Sequence, residues 1–312
     1  MASMKAIRYH EYGGAESLRY EDAPRPTPGP GELLIKVRAA SVNPIDWKLR
    51  AGHLKAYMPL TFPVIPGRDL SGVVEDVGRG VVRFKPGDEV YAMTDGARGG
   101  TYAEYAIANE AQAAMKPASI DHAHAAAIPL TALCAWQALF EKAKLARGQK
   151  ILIHAAAGGV GSIAVQLAKW RGAQIVGTAS AKSEGLVLKL GADMVIDYAK
   201  APFESIVHDA DVVLDSIGGD TQERSLRALK KGGILVALAQ PPSAERASNY
   251  GVRAEMLSAH PSAEQLAEIA KLIDAGIVKP IVASILPLSD ARRAHEMSQT
   301  SHTRGKIVLV TS

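Results

Sequence analysis

The sequence predicts a mixed α/β chain in which a doubly wound parallel sheet is joined to a β-rich domain. Three observations carry this reading. Apolar strands alternate with helical segments from Lys150 onward, roughly the first 125 residues are short strands broken by turn formers, and the texture changes between them at Asp121 to Leu145.

Taken in order, "ELLIKVRAASVN", "LSGVVEDVG", "DEVYAM" and "TYAEYAIA" are β-branched or alternating runs separated by "PRPTPGPGE", "FPVIPGRD" and "FKPGDE". That pattern suggests an irregular barrel or sandwich. Alanine, leucine and helical spacing then replace the turns in "DHAHAAAIPLTALCAWQALFEKAKL", placing a boundary near Ile128. Beyond it come "KILIHAA", "SIAVQLAKWRG", "QIVGTA", "SEGLVLKLGA", "MVIDY", "DVVLDSIGG", "TQERSLRALKKGG" and "ILVALAQ". Strand and helix in alternation imply parallel strands whose crossovers cover both faces of the sheet. One amphipathic helix follows, "SAEQLAEIAKLIDAG", and the final strand "GKIVLV" is expected to return to the first domain.

Length and composition bound the function. The 312 residues, 47% hydrophobic, suffice for one large or two ordinary domains. A net charge of +4 comes from a small excess of Lys and Arg, without a basic cluster interleaved with aromatics, so no nucleic-acid partner is expected. Cys134 is the only cysteine, which excludes an intrachain disulfide and favours the cytoplasm. The opening "MASMKAIRYHEYG" lacks the apolar core of a signal peptide, and no run approaches the ~18 apolar residues of a membrane span.

The stretch "ILIHAAAGGVGSIAVQLAKWRG" carries the chemistry. In "AAAGGVG" the dinucleotide fingerprint G-x-G-x-x-G is present with Ala156 at the first position, Gly158 at the second and Gly161 at the third. Gly158 lets the backbone approach a pyrophosphate, Gly161 lets helix and strand pack closely, and the amides of Gly159, Val160 and Gly161 open the helix toward the anion. Ile163, Leu167 and Trp170 mark one apolar helix face, expected to lie against the sheet. At the end of the second strand an acid would select a free ribose hydroxyl. Here Thr178, Ser180 and Lys182 stand in "GTASAKS", with no acid before Glu184. A hydroxyl and a positive charge suit a 2′-phosphate, so NADPH is the expected cofactor.

With "SVNPIDWKLRAG", "FPVIPGRDLSGVVEDVG", "FKPGDEVYA" and "GGTYAEYA" added, nearly the whole chain resembles the medium-chain dehydrogenase/reductase superfamily. It is most similar to the zinc-independent quinone oxidoreductase branch, with its zeta-crystallin-like and chloroplast-envelope members. The resemblance implies a GroES-like catalytic domain over 1–127, a Rossmann domain over 128–262 and a C-terminal segment, 263–312, returning to the first. It also implies a homodimer. Zinc alcohol dehydrogenases place a Cys ligand where this chain has Asn43, and a His-Glu pair where it has Arg68 and Asp69. An amide and a guanidinium do not replace a thiolate and an imidazole, so no metal is expected.

Without a metal to polarise a plain carbonyl, acceptors that delocalise charge themselves are favoured, namely quinones and α,β-unsaturated carbonyls. By resemblance, Asn43 lies beside nicotinamide ribose and substrate, and Thr131 lies against the nicotinamide. Ser216 and Ile217 of "DSIGG", and Leu238 and Ala239 of "ALAQP", line the cofactor track, and Lys306 lies in a C-terminal signature near it. Tyr57 stands where some relatives place a tyrosine in the substrate cleft, as a proton donor or an ordinary loop residue. Asp46 and Lys48 either order the cleft or form a structural ion pair. His122 and His124, two residues apart at a helix start, suit capping or solvent exposure better than metal binding. Two alternatives stand beside the reductase. One is a trans-2-enoyl thioester reductase, which needs a long apolar channel. The other is an NADPH-binding sensor or structural protein with little turnover.

Overall fold

The structure is a computed structural model that describes residues 2–96, 100–300 and 303–311. Its first strands are β1 (Ser3–Arg8), β2 (Arg19–Pro24) and β3 (Glu32–Val42), followed by α1 (Pro44–Arg50), β4 (Asp69–Val77), β5 (Glu89–Met93), β6 (Tyr105–Asn109) and β7 (Ala113–Met115). Helices α2 (His122–Ala126) and α3 (Pro129–Trp136) lead to β8 (Lys150–Ile153), α4 (Gly159–Arg171), β9 (Gln174–Ala179), α5 (Glu184–Leu190) and β10 (Met194–Asp197). Next come β11 (Ala210–Asp215), α6 (Gly219–Ser225), β12 (Leu229–Ala237), α7 (Ala244–Asn249) and β13 (Arg253–Met256). The chain closes with α8 (Ala263–Asp274), β14 (Val282–Pro287), α9 (Ala291–Gln299) and β15 (Lys306–Val310).

Two compact units result. The first comprises Met1–Leu130, His260–Ala275 and Pro280–Ser312; the second comprises Thr131–Ala259 and Gly276–Lys279.

In the first unit seven strands form a sheet in the order β14-β15-β3-β4-β5-β7, with β6 also on β3, while β1 and β2 pair separately. Strand β3 organises it because 11 residues give one edge room for two partners: Glu32 to Lys36 pair with β6, and Ala39 to Val42 pair with β15. Leu33, Ile35, Val37, Leu70, Val90, Ile307 and Leu309 meet in its core. The amphipathic α8 buries Ala263, Leu266, Ile269 and Ile273, the spacing of one helical face, and the Ser262 hydroxyl caps it.

The second unit is a six-stranded sheet in the order β10-β9-β8-β11-β12-β13, all parallel. Counted within the unit this is 3-2-1-4-5-6, the doubly wound order whose direction reverses between β8 and β11. Ile151, Leu152 and Ile153 are buried on both faces, as a central parallel strand requires. Helix α4 ends on Gly172, whose φ of +79° closes a left-handed cap.

Two features depart from the sequence reading. The helical run after Pro129 does not stay α: Gln137–Lys142 is a π-helix. Trp170 does not lie against the sheet but stands 44% exposed, stacked on Trp136. It lies two residues beyond the buried run of α4, which ends at Ala168.

Candidate active site

In the second unit the glycine turn follows β8 and the "DSIGG" turn follows β11, so both flank the point where strand order reverses. Ligands of open α/β sheets bind at the carboxyl ends of the strands there. Ala155 takes a left-handed φ of +49° to leave β8, and the Ala156 amide donates to the Thr178 carbonyl at 2.9 Å. Gly158 then caps α4 without any side-chain hydrogen bond. The amides of the first turn are thereby left to an external acceptor.

The two glycines serve different partners. A Cβ on Gly161 would lie 2.2 Å from the Ala155 carbonyl oxygen and 2.8 Å from Ala156 Cα, whereas one on Gly158 would meet only the Ala155 oxygen, at 3.2 Å. Gly161 is required by the chain's own packing. Gly158 is nearly open within the chain, so its missing side chain makes room for something outside it.

Thr178 is buried with its hydroxyl 3.0 Å from His154 Nδ1, and His154 Nε2 lies 2.8 Å from Ser225 Oγ. Burial lowers the His154 pKa to about 4, so the ring is neutral and ties β8 and β9 to α6. Thr178 is therefore turned into the fold, and the residues that β9 presents beyond it are half-buried Ser180 and exposed Lys182. His154 was missed from sequence, because its partners come from separate elements.

The Asp215 carboxylate builds the second turn, accepting from the amides of Ile217 and Gly218 at 2.9 and 3.0 Å and from Gln222 Nε2 at 3.1 Å. Ile217 is left exposed, Ser216, Leu238 and Ala239 half-buried, and Thr131 buried.

The first unit holds a buried polar cluster where β3 enters α1. Asn43, 1% exposed, precedes Pro44 at the helix start, and its amide donates to Asp46 Oδ2 at 2.8 Å. Its side-chain Nδ2 donates to Asp69 Oδ2 at 2.8 Å. Asp69 also accepts from Ser41 Oγ and from the Leu130 amide, both at 2.8 Å. The Lys306 ammonium donates to the Val42 carbonyl at 2.8 Å and to Asn43 Oδ1, and lies 3.6 Å from Asp69 Oδ2. The buried Lys306 ammonium thus sits among an amide and a carboxylate, brought together by β15, the β3–α1 junction and β4.

Asp46, 2% exposed, also accepts from Tyr102 OH at 3.0 Å. Desolvation pushes its carboxyl up to about 6 against the lowering influence of these hydrogen bonds and of Lys306. It lines a cavity of about 280 Å³ with Tyr9, Met58, Leu60, Ile65 and Arg68. Of the other residues read from sequence, Tyr57 is 86% exposed and Lys48 half-buried, its ammonium 5.8 Å from the Trp47 ring; neither lines this cavity. The Asp46–Lys48 pairing gives way to a capping role because Asp46 turns back to the helix start. Gly99 of "GGTYAEYA" lies outside the described residues.

His122 is not simply a cap: its Nδ1 lies 2.8 Å from Ser71 Oγ and its Nε2 3.3 Å from Glu89. Burial lowers its pKa, while His124 pairs with the capping Asp121. Among the described residues no three His, Cys, Asp or Glu side chains gather as a metal-ligand set.

Comparison with known proteins follows the same lines. The family described as alcohol dehydrogenase GroES-like domain matches residues 29–118, and the zinc-binding dehydrogenase family matches 190–309. A chloroplast envelope quinone oxidoreductase homolog of Arabidopsis thaliana is 36% identical over 331 aligned positions, covering 98% of both chains. The NADPH-dependent alkenal/one oxidoreductase of the same plant is 37% identical over 321 positions, covering 98% of this chain and 79% of its own. A solved mycobacterial structure complexed with NADPH superposes with a TM-score of 0.89 at 32% identity, covering 98% of this chain and 99% of the other. The chain belongs to the medium-chain dehydrogenase/reductase superfamily, in its quinone oxidoreductase branch.

Proposed function

We propose that this chain reduces quinones or α,β-unsaturated carbonyls with NADPH and without a metal ion. The observation that carries the reading is the buried Asn43–Asp69–Lys306 cluster. Asp69 is already satisfied by three hydrogen bonds, and the Lys306 ammonium supplies a fixed positive charge beside it. A divalent ion placed there would meet that ammonium and find neither thiolate nor imidazole. The donor set therefore disagrees with the zinc-binding description of the matched family.

The second unit fits NADPH: uncapped first-turn amides at α4, a Gly158 whose Cβ would intrude on a ligand, and Ser180 and Lys182 where an acid would reject a 2′-phosphate. When bound, the nicotinamide supplies a hydride to an electrophilic carbon. This chain's own residues manage the charge that follows. Arg68 lines the same cavity as Asp46 and Asp95 and is the cationic side chain on its wall that could offset negative charge on an acceptor oxygen held there. Asp46, whose carboxyl burial pushes up to about 6, holds a proton more readily than an ordinary carboxylate and lines the cavity, whereas exposed Tyr57 does not. A conjugated acceptor spreads the remaining charge itself. A cavity of about 280 Å³ has room for a quinone ring or a short alkenal.

The test is NADPH and NADH consumption by chelator-treated protein against quinones, 2-alkenals, cyclic enones and a 2-enoyl thioester, repeated with Lys182→Ala. NADPH-selective turnover of quinones or enones is expected, and Lys182→Ala should weaken NADPH about tenfold while leaving NADH nearly unchanged. Turnover restored only by zinc, or confined to the thioester, would overturn the reading, as would tight NADPH binding with no acceptor reduced.

The reading includes a cytoplasmic homodimer joined through an edge strand of the second unit's sheet, which a monomeric sedimentation mass at micromolar concentration would reject. Among the described residues no helix is long and apolar enough to cross a membrane.

A further inference from the structure

The C-terminal end of α4 carries a cavity that the proposed reduction does not use. Trp136 and Trp170 stack with centroids 6.2 Å apart and planes 27° from parallel. Phe140 stands edge-on to both, at 4.9 and 6.0 Å. With Lys144, Leu145 and Arg171 these rings line a cavity of about 270 Å³.

The backbone beside it is irregular. The π-helix of Gln137–Lys142 ends at the cavity, and Lys144 beyond it takes a left-handed φ of +52°. A non-glycine residue there costs about 1 kcal/mol or more, and π-turns gather at functional sites. Trp170, past the buried run of α4, is 44% exposed and presents its indole to the cavity. The Arg171 guanidinium lies 6.0 Å from the Phe140 ring and its Nε donates to the Leu145 carbonyl at 3.2 Å, which anchors a cation on the rim. Lys144 adds a second positive charge, and Glu141, one turn back, is the nearby acid in sequence.

We propose that this cavity binds a planar aromatic anion, a ring bearing a carboxylate or sulfonate, at a site separate from the cofactor turn. Indole faces take the ring, and Arg171 and Lys144 take the charge. Gly159 and Arg171 are at opposite ends of α4, roughly 18 Å apart at 1.5 Å per residue. The site therefore does not rest on the reductase reading.

The probe is 2-naphthoate, titrated calorimetrically into the full chain with and without saturating NADPH, beside uncharged 2-naphthamide and non-aromatic cyclohexanecarboxylate. Naphthoate should bind equally with and without NADPH, with both analogues at least about fivefold weaker. Trp170→Ala should weaken binding about tenfold and Arg171→Gln, on an exposed residue that leaves the fold intact, about fivefold, with reductase turnover unchanged in both. Absence of binding at millimolar naphthoate, displacement by NADPH, or unchanged affinity in both variants would overturn the proposal.

Discussion

Replacing Asp46 by Asn tests whether a desolvated carboxyl sits at the base of the first unit's cavity. Burial raises its pKa from 3.8 to about 6, although the Asn43 amide, the Lys306 charge and Tyr102 OH pull the other way. A carboxyl that binds its proton more tightly when folded stabilises the fold at low pH, and that contribution is lost as the pH rises through about 6. The full difference is roughly 3 kcal/mol at ~1.4 kcal/mol per unit, of which about 1 kcal/mol falls between pH 5 and 7. Asn retains an oxygen for the Asn43 amide and Tyr102 OH while removing the titration. Urea unfolding of both proteins at pH 5, 6 and 7 isolates the effect, because every other titrating group is shared. The wild type should lose about 1 kcal/mol relative to Asp46→Asn across this range. Parallel stability curves, or a wild type that gains with rising pH, would show that the carboxylate is paired rather than desolvated. The proton-holding role would fall with it.

Gly161→Ala should destabilise the second unit by about 1–3 kcal/mol in thermal or urea unfolding, because its Cβ would press on the Ala155 carbonyl, whereas Gly158→Ala should unfold nearly as the wild type yet bind NADPH at least about tenfold more weakly. Equal stability losses at the two positions would remove the distinction between a packing glycine and a ligand glycine. Lys306→Met should cost about 3 kcal/mol in urea unfolding, since Asp69 then becomes a buried carboxylate without its cation. Unfolding at the wild-type midpoint would mean that the hydrogen bonds to Asp69 suffice alone.

What was legible in the sequence was local. The fingerprint from Ala156 to Gly161 lies within one turn and is flanked by a buried strand and a helix, so period and glycine spacing were enough to read it. The alternation beyond Lys150 fixed the parallel class for the same reason. What escaped depends on residues brought together from afar. Lys306 and Asn43, 263 residues apart, meet because β15 pairs with β3. His154 draws its partners from β9 and α6. Arg68, read first as a residue that could not hold zinc, faces a cavity only because the 60–68 loop is folded against Tyr9 and Asp46. Trp170 kept the helical period yet missed the sheet, because the period gives the face of a helix but not where its buried run ends.

The Asp69–Lys306 pair gives a fully buried carboxylate its counter-charge from within the chain. A bare carboxylate at 0% exposure would be costly, and a metal ion would ordinarily meet that cost. Here an ammonium from the last strand does so, and it is covalently part of the sheet that holds the carboxylate. The charge is therefore present whenever the chain is folded, independent of metal supply, but it is directed at Asp69, Asn43 and the Val42 carbonyl. An ammonium so engaged has little left with which to polarise an unactivated carbonyl. This agrees with the proposed preference for acceptors that carry their own electron sink.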